Sequence, residues 1–387
     1  MKTYRNSYLA YFLMYLFYYL SWSLFSTLIS VYLMDKGYRP SQVSLVVSLS
    51  FFLSMLAQPF IGYLNDRFEQ KKVIAVSLFL CIIGALCFLA SGSILFYALS
   101  YSIVLLLING TNPVLESIAT RSPFSYGKIR IWGTIGYAMG SQLAGFIYDQ
   151  VSPQAIYCLF IVTILLAVLG ILGTDPKTEL HESQREKSET SFWQLFKNPI
   201  FLIYILIATL FSGVMNTNHT YVPSLLEDSG LSVGLATSVV SIAVLCEAPL
   251  TLLSFLFMDR FKSKPLILVS MSMVALQCLI YALDIDLSSK ILATLLAKHL
   301  AGMLFIMVNL KIVTSLVDGA YLITALALVQ TGRNLGSILM QHIAGQILDY
   351  SSYANMYWVM TGVVLLAILS MIALPLPSGM EKKLFSR

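Results

Sequence analysis

Long apolar runs alternate with short polar segments along the whole chain. A transmembrane helix needs roughly 20 mostly apolar residues, and backbone in lipid has to satisfy its hydrogen bonds within the helix. The pattern therefore predicts twelve transmembrane helices, over approximately residues 8–33, 42–64, 73–90, 94–117, 129–149, 154–173, 199–222, 234–257, 266–283, 289–313, 321–347 and 355–374.

Composition supports a membrane location. Of the 387 residues, 58% are hydrophobic and 11% are charged, whereas a soluble domain carries about 25% charged residues. In water such a chain would expose large apolar patches, which excludes soluble enzymes, disordered chains and nucleic-acid binders. The first run has no small-residue cleavage site and is too long for a signal-peptide core, so it is interpreted as the first span of an all-α integral membrane protein.

Lysine and arginine predict the orientation, because they concentrate in cytoplasmic loops. With both termini placed in the cytoplasm, eighteen of the 24 basic residues fall on the cytoplasmic side, and three fall on the opposite, outer side (Lys36, Arg39 and Lys290). The sequence therefore predicts a multi-pass protein of the cytoplasmic (inner) membrane with both termini inside.

One long polar segment interrupts the pattern between the sixth and seventh runs. It contains the mixed-charge stretch DPKTELHESQREKSET, which is typical of a flexible linker, and a short surface helix is predicted near FWQLFK. We predict an N-terminal six-helix bundle over residues 1–173, a cytoplasmic linker over 174–198 and a C-terminal six-helix bundle over 199–387.

The two predicted bundles share sequence signals. DRFEQKK begins at Asp66, and DRFKSK begins at Asp259, 193 residues later. R-x-x-G and A-G-x-x-x-D both occur in RIWGTIGYAMGSQLAGFIYD, from Arg130, and in RNLGSILMQHIAGQILD, from Arg333. Equivalent signals in halves of the same orientation indicate parallel repeats, an architecture that places a solute site between the halves near the midplane and opens it alternately to each side.

These features resemble the major facilitator superfamily over essentially the whole chain. GYLNDRF after the second run carries the G-x-L-x-D-R pattern of that superfamily. NPVLESIA, followed by SPFSYGKIRIWGTIGYA, is similar to the proton-coupled sugar symporters that include lactose permease, and to related nucleoside permeases. The resemblance implies transport of a small polar solute together with protons.

Few ionisable residues remain inside the predicted spans. Each costs at least ~2.5–3.5 kcal/mol at a helix centre, so each is a candidate functional residue. They are Glu116, Arg130, Glu247, Lys298 and Arg333, with Asp149 and Asp349 at span ends.

Glu116 and Arg130 belong to consecutive antiparallel spans and lie a few residues from the cytoplasmic ends. They can therefore meet as a guanidinium–carboxylate pair, which offers fixed bidentate hydrogen bonds. The resemblance to lactose permease implies that both contact the solute, although the turn between the two spans is shorter here. The alternative is a charge pair that only joins two helices.

Glu247, His299 and Lys298 are the candidates for proton coupling. Carboxylates and histidines in membrane spans form proton relays, and Glu247 stands alone in an otherwise apolar run. The resemblance implies a coupling glutamate in the same span. The lysine–histidine–glutamate series of lactose permease is not intact, because no acid follows His299 in its span. The alternative is a structural lock between Glu247 and Lys298 or Arg333.

Aromatic and amide side chains supply further candidates for solute contacts. Several aromatic rings of the first span share one helix face, and such rings stack on sugar or base faces, although packing or lipid contact is the alternative for each. The candidate solute-binding residues are Glu116, Arg130, Tyr18, Trp22, Asn216 and Asn309.

The repeated Asp-Arg pairs are candidate gating residues. Asp66–Arg67 and Asp259–Arg260 occupy matching predicted cytoplasmic loops. We expect them to clasp the halves when the cytoplasmic side is closed.

The sequence favours a secondary transporter that moves a sugar, oligosaccharide or nucleoside by proton symport through alternating access. No Walker motif, haem ligand pair or metal cluster is present, so neither an enzyme nor a cofactor is expected. The five cysteines lie in apolar runs and are expected to be buried. The alternative function is proton-coupled efflux of drugs or metabolites. The 16 methionines are compatible with this alternative.

Two other classes are disfavoured. A receptor on a transporter scaffold would need a signalling domain, and a membrane hydrolase would need a nucleophile–base arrangement at matching depth. The expected partners are a small-molecule substrate, protons and the lipid bilayer, with no nucleic acid and with the protein acting as a monomer.

Overall fold

A computed structural model describes residues 4–174, 192–317 and 321–376. The N-terminal half contains α1 Tyr8–Ser26, α2 Ile29–Asp35, α3 Pro40–Arg67, α4 Gln70–Leu89, α5 Ile94–Thr120, α6 Tyr126–Gln150 and α7 Ala155–Gly173. The C-terminal half contains a 3-10 helix Phe192–Lys197, α8 Pro199–Asp228, α9 Val233–Leu252, α10 Ser254–Phe257, α11 Ser263–Leu283, α12 Leu287–Ala293, a π-helical turn Thr294–Lys298, α13 His299–Leu316, α14 Leu322–Tyr350 and α15 Tyr353–Ala373.

Each of the twelve predicted spans coincides with one helix or with a helix that has a single local break. The breaks separate α1 from α2, α9 from α10, and α12 from α13. Ten of the spans are long and apolar enough to cross a membrane. The other two, α6 and α14, have 25 and 29 residues and are the more polar pair that carries Arg130 and Arg333. The predicted all-α, twelve-span fold is confirmed.

The short helix predicted near FWQLFK is also present, as the 3-10 helix Phe192–Lys197. Most of the predicted linker, residues 175–191, lies outside the described residues. Its flexibility therefore stays a prediction.

Packing divides the chain into two compact units. Unit 1 comprises Met1–Thr178, His219–Leu245 and Gln341–Asp349, and unit 2 comprises Glu179–Asn218, Cys246–Met340 and Tyr350–Arg387. The ends of α8, α9 and α14 on the predicted outer side therefore pack with the N-terminal half. The two six-helix bundles were predicted from the sequence repeat, which is a different division of the chain, and they remain a prediction.

In unit 1, α1 packs against α6 and α7, and α3 packs against α5. The approach of α6 to α1 is close, since a Cβ atom at Gly136 would lie 2.2 Å from the Leu16 carbonyl oxygen. Phe25, Phe88 and Tyr157 form part of an aromatic core between α1, α4 and α7, with Phe88 and Tyr157 centroids 4.6 Å apart. This packing holds α1 and α6, which carry much of the candidate site, in a fixed register.

Hydrogen bonds also join the outer ends of the two halves inside unit 1. Ser30 Oγ donates to the Thr220 carbonyl oxygen at 2.7 Å, and the hydroxyls of Ser44 and Tyr221 are 2.7 Å apart. These four residues are buried. The helix ends on the predicted outer side of this unit are therefore packed together.

In unit 2, α11 packs against α13 and α15, and a buried polar network adds specific contacts. Tyr357 donates to Asn218 Oδ1 at 2.9 Å, Asn218 donates to Gln277 Oε1 at 3.1 Å, and Gln277 donates to the Tyr281 hydroxyl at 2.8 Å. Buried polar groups need such partners. The network fixes α8, α11 and α15 relative to one another.

Candidate solute and proton sites

An ion pair between Glu116 and Arg130 joins α5 to α6 in unit 1. Arg130 Nε lies 3.6 Å from Glu116 Oε1, and the two side chains are 25% and 27% exposed, respectively. The pair is therefore accessible rather than sealed between the helices. The structure brings together the two residues that the sequence predicted to meet.

Three tyrosine hydroxyls donate hydrogen bonds to the carboxylate of Glu116. Tyr15 and Tyr19 of α1 donate to Oε2 at 2.7 Å and to Oε1 at 2.9 Å, and Tyr126 at the start of α6 donates to Oε2. Arg130 also lies over the Tyr19 ring, 5.2 Å from its centroid. An ionised carboxylate offers about four acceptor positions, so Glu116 can accept a further hydrogen bond beside those from the three phenols.

Sequence reasoning missed these tyrosines as partners of Glu116. Tyr15 and Tyr19 are four residues apart and therefore share a face of α1, which is the only signal the sequence offered. The neighbour that this face contacts follows from tertiary packing. Tyr126 begins α6, and its position carries no such signal.

Trp22 lies in an aromatic group next to the ion pair. It stacks on Tyr19 with centroids 5.9 Å apart and meets Tyr137 edge-on at 6.5 Å. The Tyr137 hydroxyl is 3.0 Å from His219 Nε2. Half-buried rings with polar edges suit a solute that has both apolar faces and hydroxyls.

The other predicted solute-binding residues make hydrogen bonds within the protein. Tyr18 is 1% exposed and donates to a backbone carbonyl of α5. Asn216 donates to Ser337 Oγ at 2.6 Å, and Asn309 accepts from the Tyr204 hydroxyl at 2.7 Å. Their contacts with a solute stay predictions.

Glu247, His299 and Lys298 form a second charged cluster, within unit 2. His299 Nδ1 lies 3.7 Å from Glu247 Oε2, and Lys298 Nζ lies 3.1 Å from His299 Nε2. The structure thus brings together all three residues predicted to serve proton coupling. The cluster coincides with an irregular backbone, because the π-helical turn ends at Lys298 and α13 begins at His299. Such π-bulges are rare and frequently lie at functional sites.

The three side chains lie in the order Lys298, His299, Glu247. When Lys298 is charged it has donors only, and His299 Nε2 is then the acceptor of their hydrogen bond. The neutral imidazole then carries its own hydrogen on Nδ1, the atom that faces Glu247. Imidazole and carboxylate can therefore exchange a proton across this short separation.

Of the candidate gating residues, Asp66 and Arg67 belong to the last turn of α3 rather than to a loop. The side chain of Asp66 lies outside the described residues. Arg67 donates to the hydroxyl of Tyr63 in its own helix, while Asp259 and Arg260 follow α10. A clasp between the two loops stays a prediction.

The described residues offer no metal site and include five free thiols. Across residues 4–174, 192–317 and 321–376, no group of three or more His, Cys, Asp or Glu side chains could hold a metal ion. Cys81 and Cys278 are buried, whereas Cys87 and Cys158 are exposed. The expectation that all five cysteines are buried is therefore wrong, because Cys87 and Cys158 lie on faces of α4 and α7 that point away from the core.

Twelve apolar helices with a few ion pairs and hydroxyls placed inside them define an integral membrane transporter of small molecules. The model of the Major Facilitator Superfamily matches residues 11–309 and 220–384, and the chain belongs to this superfamily. As the sequence led us to expect, its relatives are permeases and transporters rather than enzymes.

Three relatives illustrate the similarity. Sucrose permease of Escherichia coli is 24% identical over 392 residues, covering 95% of this chain and 93% of the permease. The structure of nucleoside transporter NupG matches with a TM-score of 0.79 at 16% identity, covering 95% of this chain and 99% of that one. The structure of a D-xylose-proton symporter matches with a TM-score of 0.73 at 16% identity, covering 97% and 98%.

Proposed function

We propose that the protein imports a sugar, oligosaccharide or nucleoside by proton symport through alternating access. The observation that carries the proposal is the partly exposed Glu116–Arg130 pair, with three tyrosine hydroxyls directed at its carboxylate. Charged groups at this depth are costly and usually functional. Similarity to sucrose permease, NupG and the D-xylose-proton symporter supports the same solute classes.

Binding at this site follows from the chemistry of hydroxyl groups. A solute hydroxyl donates to the Glu116 carboxylate and takes the place of one phenol, while a second hydroxyl accepts from the Arg130 guanidinium. The rings of Trp22 and Tyr137 offer apolar faces to the solute. The released phenol stays close enough to hydrogen-bond the bound solute.

Proton coupling is assigned to the cluster of Glu247, His299 and Lys298. A proton taken up by Glu247 from the outer side neutralises the carboxylate and removes its attraction to Lys298. The cluster would then differ in charge before and after proton release, and such a difference can favour one conformation over another. We place the protein in the cytoplasmic membrane as a monomer with both termini inside.

Uptake into proteoliposomes tests the proposal. The purified protein is reconstituted, and labelled sugars, nucleosides and aromatic acids are offered with and without a proton gradient that is acidic outside. We expect one solute class to accumulate above equilibrium only with the gradient. If the whole panel is negative and dye efflux from cells accelerates, proton-coupled efflux becomes the better account.

The predicted cytoplasmic clasp has its own test. Replacing Asp66 with Asn should favour the inward-open state and slow turnover, because an attraction between the Asp-Arg loops is lost. Asp259→Asn in the matching loop should act in the same direction. The measurement is labelling of cysteine probes on each side of the membrane, and unchanged labelling on both sides would argue against a clasp.

A further inference from the structure

Arg333 is a second guanidinium within a membrane-spanning helix; it is partly buried and lies about 16 Å from the start of α14. Its Nε donates to Ser212 Oγ at 2.9 Å, and its Nη1 donates to Gln330 Oε1 at 3.0 Å. Its Cζ lies 5.6 Å from the centroid of Phe305. These partners are all neutral.

The sequence repeat makes this environment unexpected. Arg130 and Arg333 begin equivalent R-x-x-G segments, yet only Arg130 has an acidic partner, Glu116. In the described part of the chain, Arg333 has no carboxylate within 4.0 Å. The acids of the neighbouring α8 are Glu227 and Asp228, at its far end.

An uncompensated charge at this depth is unfavourable. Charged side chains inside membrane proteins pair with opposite charges or face a water-filled cavity, and buried charges without partners destabilise a fold. Nη2 of Arg333 donates no hydrogen bond within the described residues, so one edge of the guanidinium stays available. The missing negative charge can come from a ligand.

We propose that Arg333 binds a carboxylate group of the transported solute. One guanidinium matches one carboxylate in charge and in its pair of parallel hydrogen bonds. A phosphate dianion beside the same guanidinium would keep one negative charge without a positive partner. The Gln330 amide lies next to the guanidinium, where it accepts from Arg333 Nη1 and donates to Asn334 Oδ1. Phe305, packed on Phe211 at 4.6 Å between centroids, forms an apolar wall beside the charge.

The inference rests on the proposed function and narrows its substrate class. Within the sugar class, a solute that brings a carboxylate to Arg333 is a sugar acid rather than a neutral sugar. Neutral sugars would then be weaker ligands of the same transporter.

Matched ligand pairs test the assignment. Binding to the purified protein is measured for glucuronate, galacturonate and gluconate, for the methyl esters of the two uronates, and for glucose. We expect at least one acid to bind roughly tenfold or more tightly than its neutral counterpart, because hydrogen bonds to charged groups are worth about 1.5–3 kcal/mol. Arg333→Gln should remove this preference, and Arg333→Lys should keep part of it, whereas Lys262→Gln, in an exposed loop, should leave it unchanged.

The stability of the ligand-free protein gives a second readout. Arg333→Gln should melt no lower than the wild type, because it removes an uncompensated charge. A clear fall in melting temperature would show that Arg333 is a structural link to Ser212 and Gln330, and would overturn the proposal.

Equal binding of acids and neutral counterparts would also overturn the proposal. Glu116-dependent uptake of neutral sugars or nucleosides would then still support the proposed function, whereas a panel without any bound or transported solute would count against both.

A separate observation concerns the two A-G-x-x-x-D segments. Asp149 Oδ2 accepts a hydrogen bond from the Gly234 amide at 2.8 Å, and Asp349 Oδ1 accepts one from the Ser41 amide at 3.0 Å. Gly234 and Ser41 are each the second residue of their helix, α9 and α3. Both aspartates therefore cap a helix of the opposite half of the sequence, within unit 1.

A glycine one turn before each aspartate permits the contact. A Cβ atom at Gly145 would lie 1.7 Å from Thr237 Oγ1, and one at Gly345 would lie 2.3 Å from Ser44 Oγ. No larger residue fits without moving the neighbouring helix. The same glycine–aspartate device thus occurs twice, at equivalent places in the repeat.

We infer that Asp149 and Asp349 are paired latches that hold the outer side closed. The first amides of a helix lack partners within the helix, and a carboxylate there is favoured by both the hydrogen bond and the helix dipole. Opening of the outer side would separate each aspartate from its amide, so the two caps stabilise the closed state specifically.

Thiol labelling tests the latches. Ser241, which is buried in unit 1, is replaced with Cys in a background without the native cysteines and exposed to a membrane-impermeant reagent. Loss of one cap by Asp149→Ala or Asp349→Ala should raise the labelling rate about fivefold, and the double variant should raise it about 25-fold. Asp149→Asn and Asp349→Asn should stay near the parent rate, since Asn also caps helices.

Asp286→Ala is the matched control, because Asp286 caps α12 through the Ser289 amide and joins no two halves. It should leave the labelling rate unchanged. A double-alanine variant that labels at the parent rate, or asparagine variants as fast as the alanine variants, would overturn the inference.

Discussion

Replacing Glu116 with Gln or Arg130 with Lys is expected to abolish solute binding while the protein still folds and inserts. Gln keeps the shape of the side chain but loses the charge that accepts hydrogen bonds from three phenols. Lys keeps the positive charge but lacks the planar fork that holds two oxygens at once. Each hydrogen bond to a charged group is worth about 1.5–3 kcal/mol, so the loss of two should weaken binding at least about 100-fold.

Calorimetry on the purified protein measures this loss, with a thermal melt to show that each variant is folded. Glu69→Gln is the control, since it also removes one carboxylate but lies in the loop between α3 and α4. Lys72, 3.0 Å away, holds the pKa of Glu69 below its usual value, but the pair is exposed, and such surface pairs contribute little. If both site variants bind solute normally, the Glu116–Arg130 pair only joins α5 to α6.

The helices could be predicted because lipid leaves few alternatives for an apolar run. The two least apolar spans, α6 and α14, were also predicted from their apolar runs, although each contains an arginine, Arg130 or Arg333. Helix ends were less accurate: α8 continues to Asp228, six residues beyond the predicted end. Its extra turn packs against the N-terminal half, and a hydropathy pattern carries no information about that contact.

The candidate sites were predicted residue by residue, but their surroundings were not. Rarity of charge in the spans singled out Glu116, Arg130, Glu247 and Lys298, which the structure groups into two clusters. The phenols around Glu116 depend on the rotation of α1 about its axis, which hydropathy does not determine for an almost wholly buried helix. The π-helical turn before His299 likewise has no sequence signature in a run of ordinary helix formers.

The repeat was informative where the two halves differ as well as where they agree. Asp149 and Asp349 make equivalent contacts, so their shared motif has one structural explanation. Arg130 and Arg333 share a motif but have different partners, because only α5 supplies an acid at the matching place. We therefore expect solute specificity to depend on the arginines, whose surroundings differ, and conformational change to depend on the aspartates, whose contacts are equivalent.

Glu247→Gln is expected to keep solute binding and exchange across the membrane but to lose uphill accumulation. Gln resembles a permanently protonated glutamate, so the charge of the cluster with His299 and Lys298 no longer changes during the cycle. Accumulation should fall to the equilibrium level at every imposed gradient, while counterflow of labelled against unlabelled solute continues. The rate of this exchange should also lose its dependence on pH, because the titrating group has been removed.

Asp286→Asn provides the matched control, because it removes a carboxylate just before α12, in the segment that leads to Lys298 and His299, and keeps the cap on α12. Accumulation by this control should equal that of the wild type. A structural lock predicts a different result for Glu247→Gln, since loss of the lock would leave Lys298 without its carboxylate and would lower insertion, stability and binding together. If the Glu247→Gln variant still accumulates solute against its gradient, Glu247 does not couple, and His299 or a gradient-independent facilitator becomes the better mechanism.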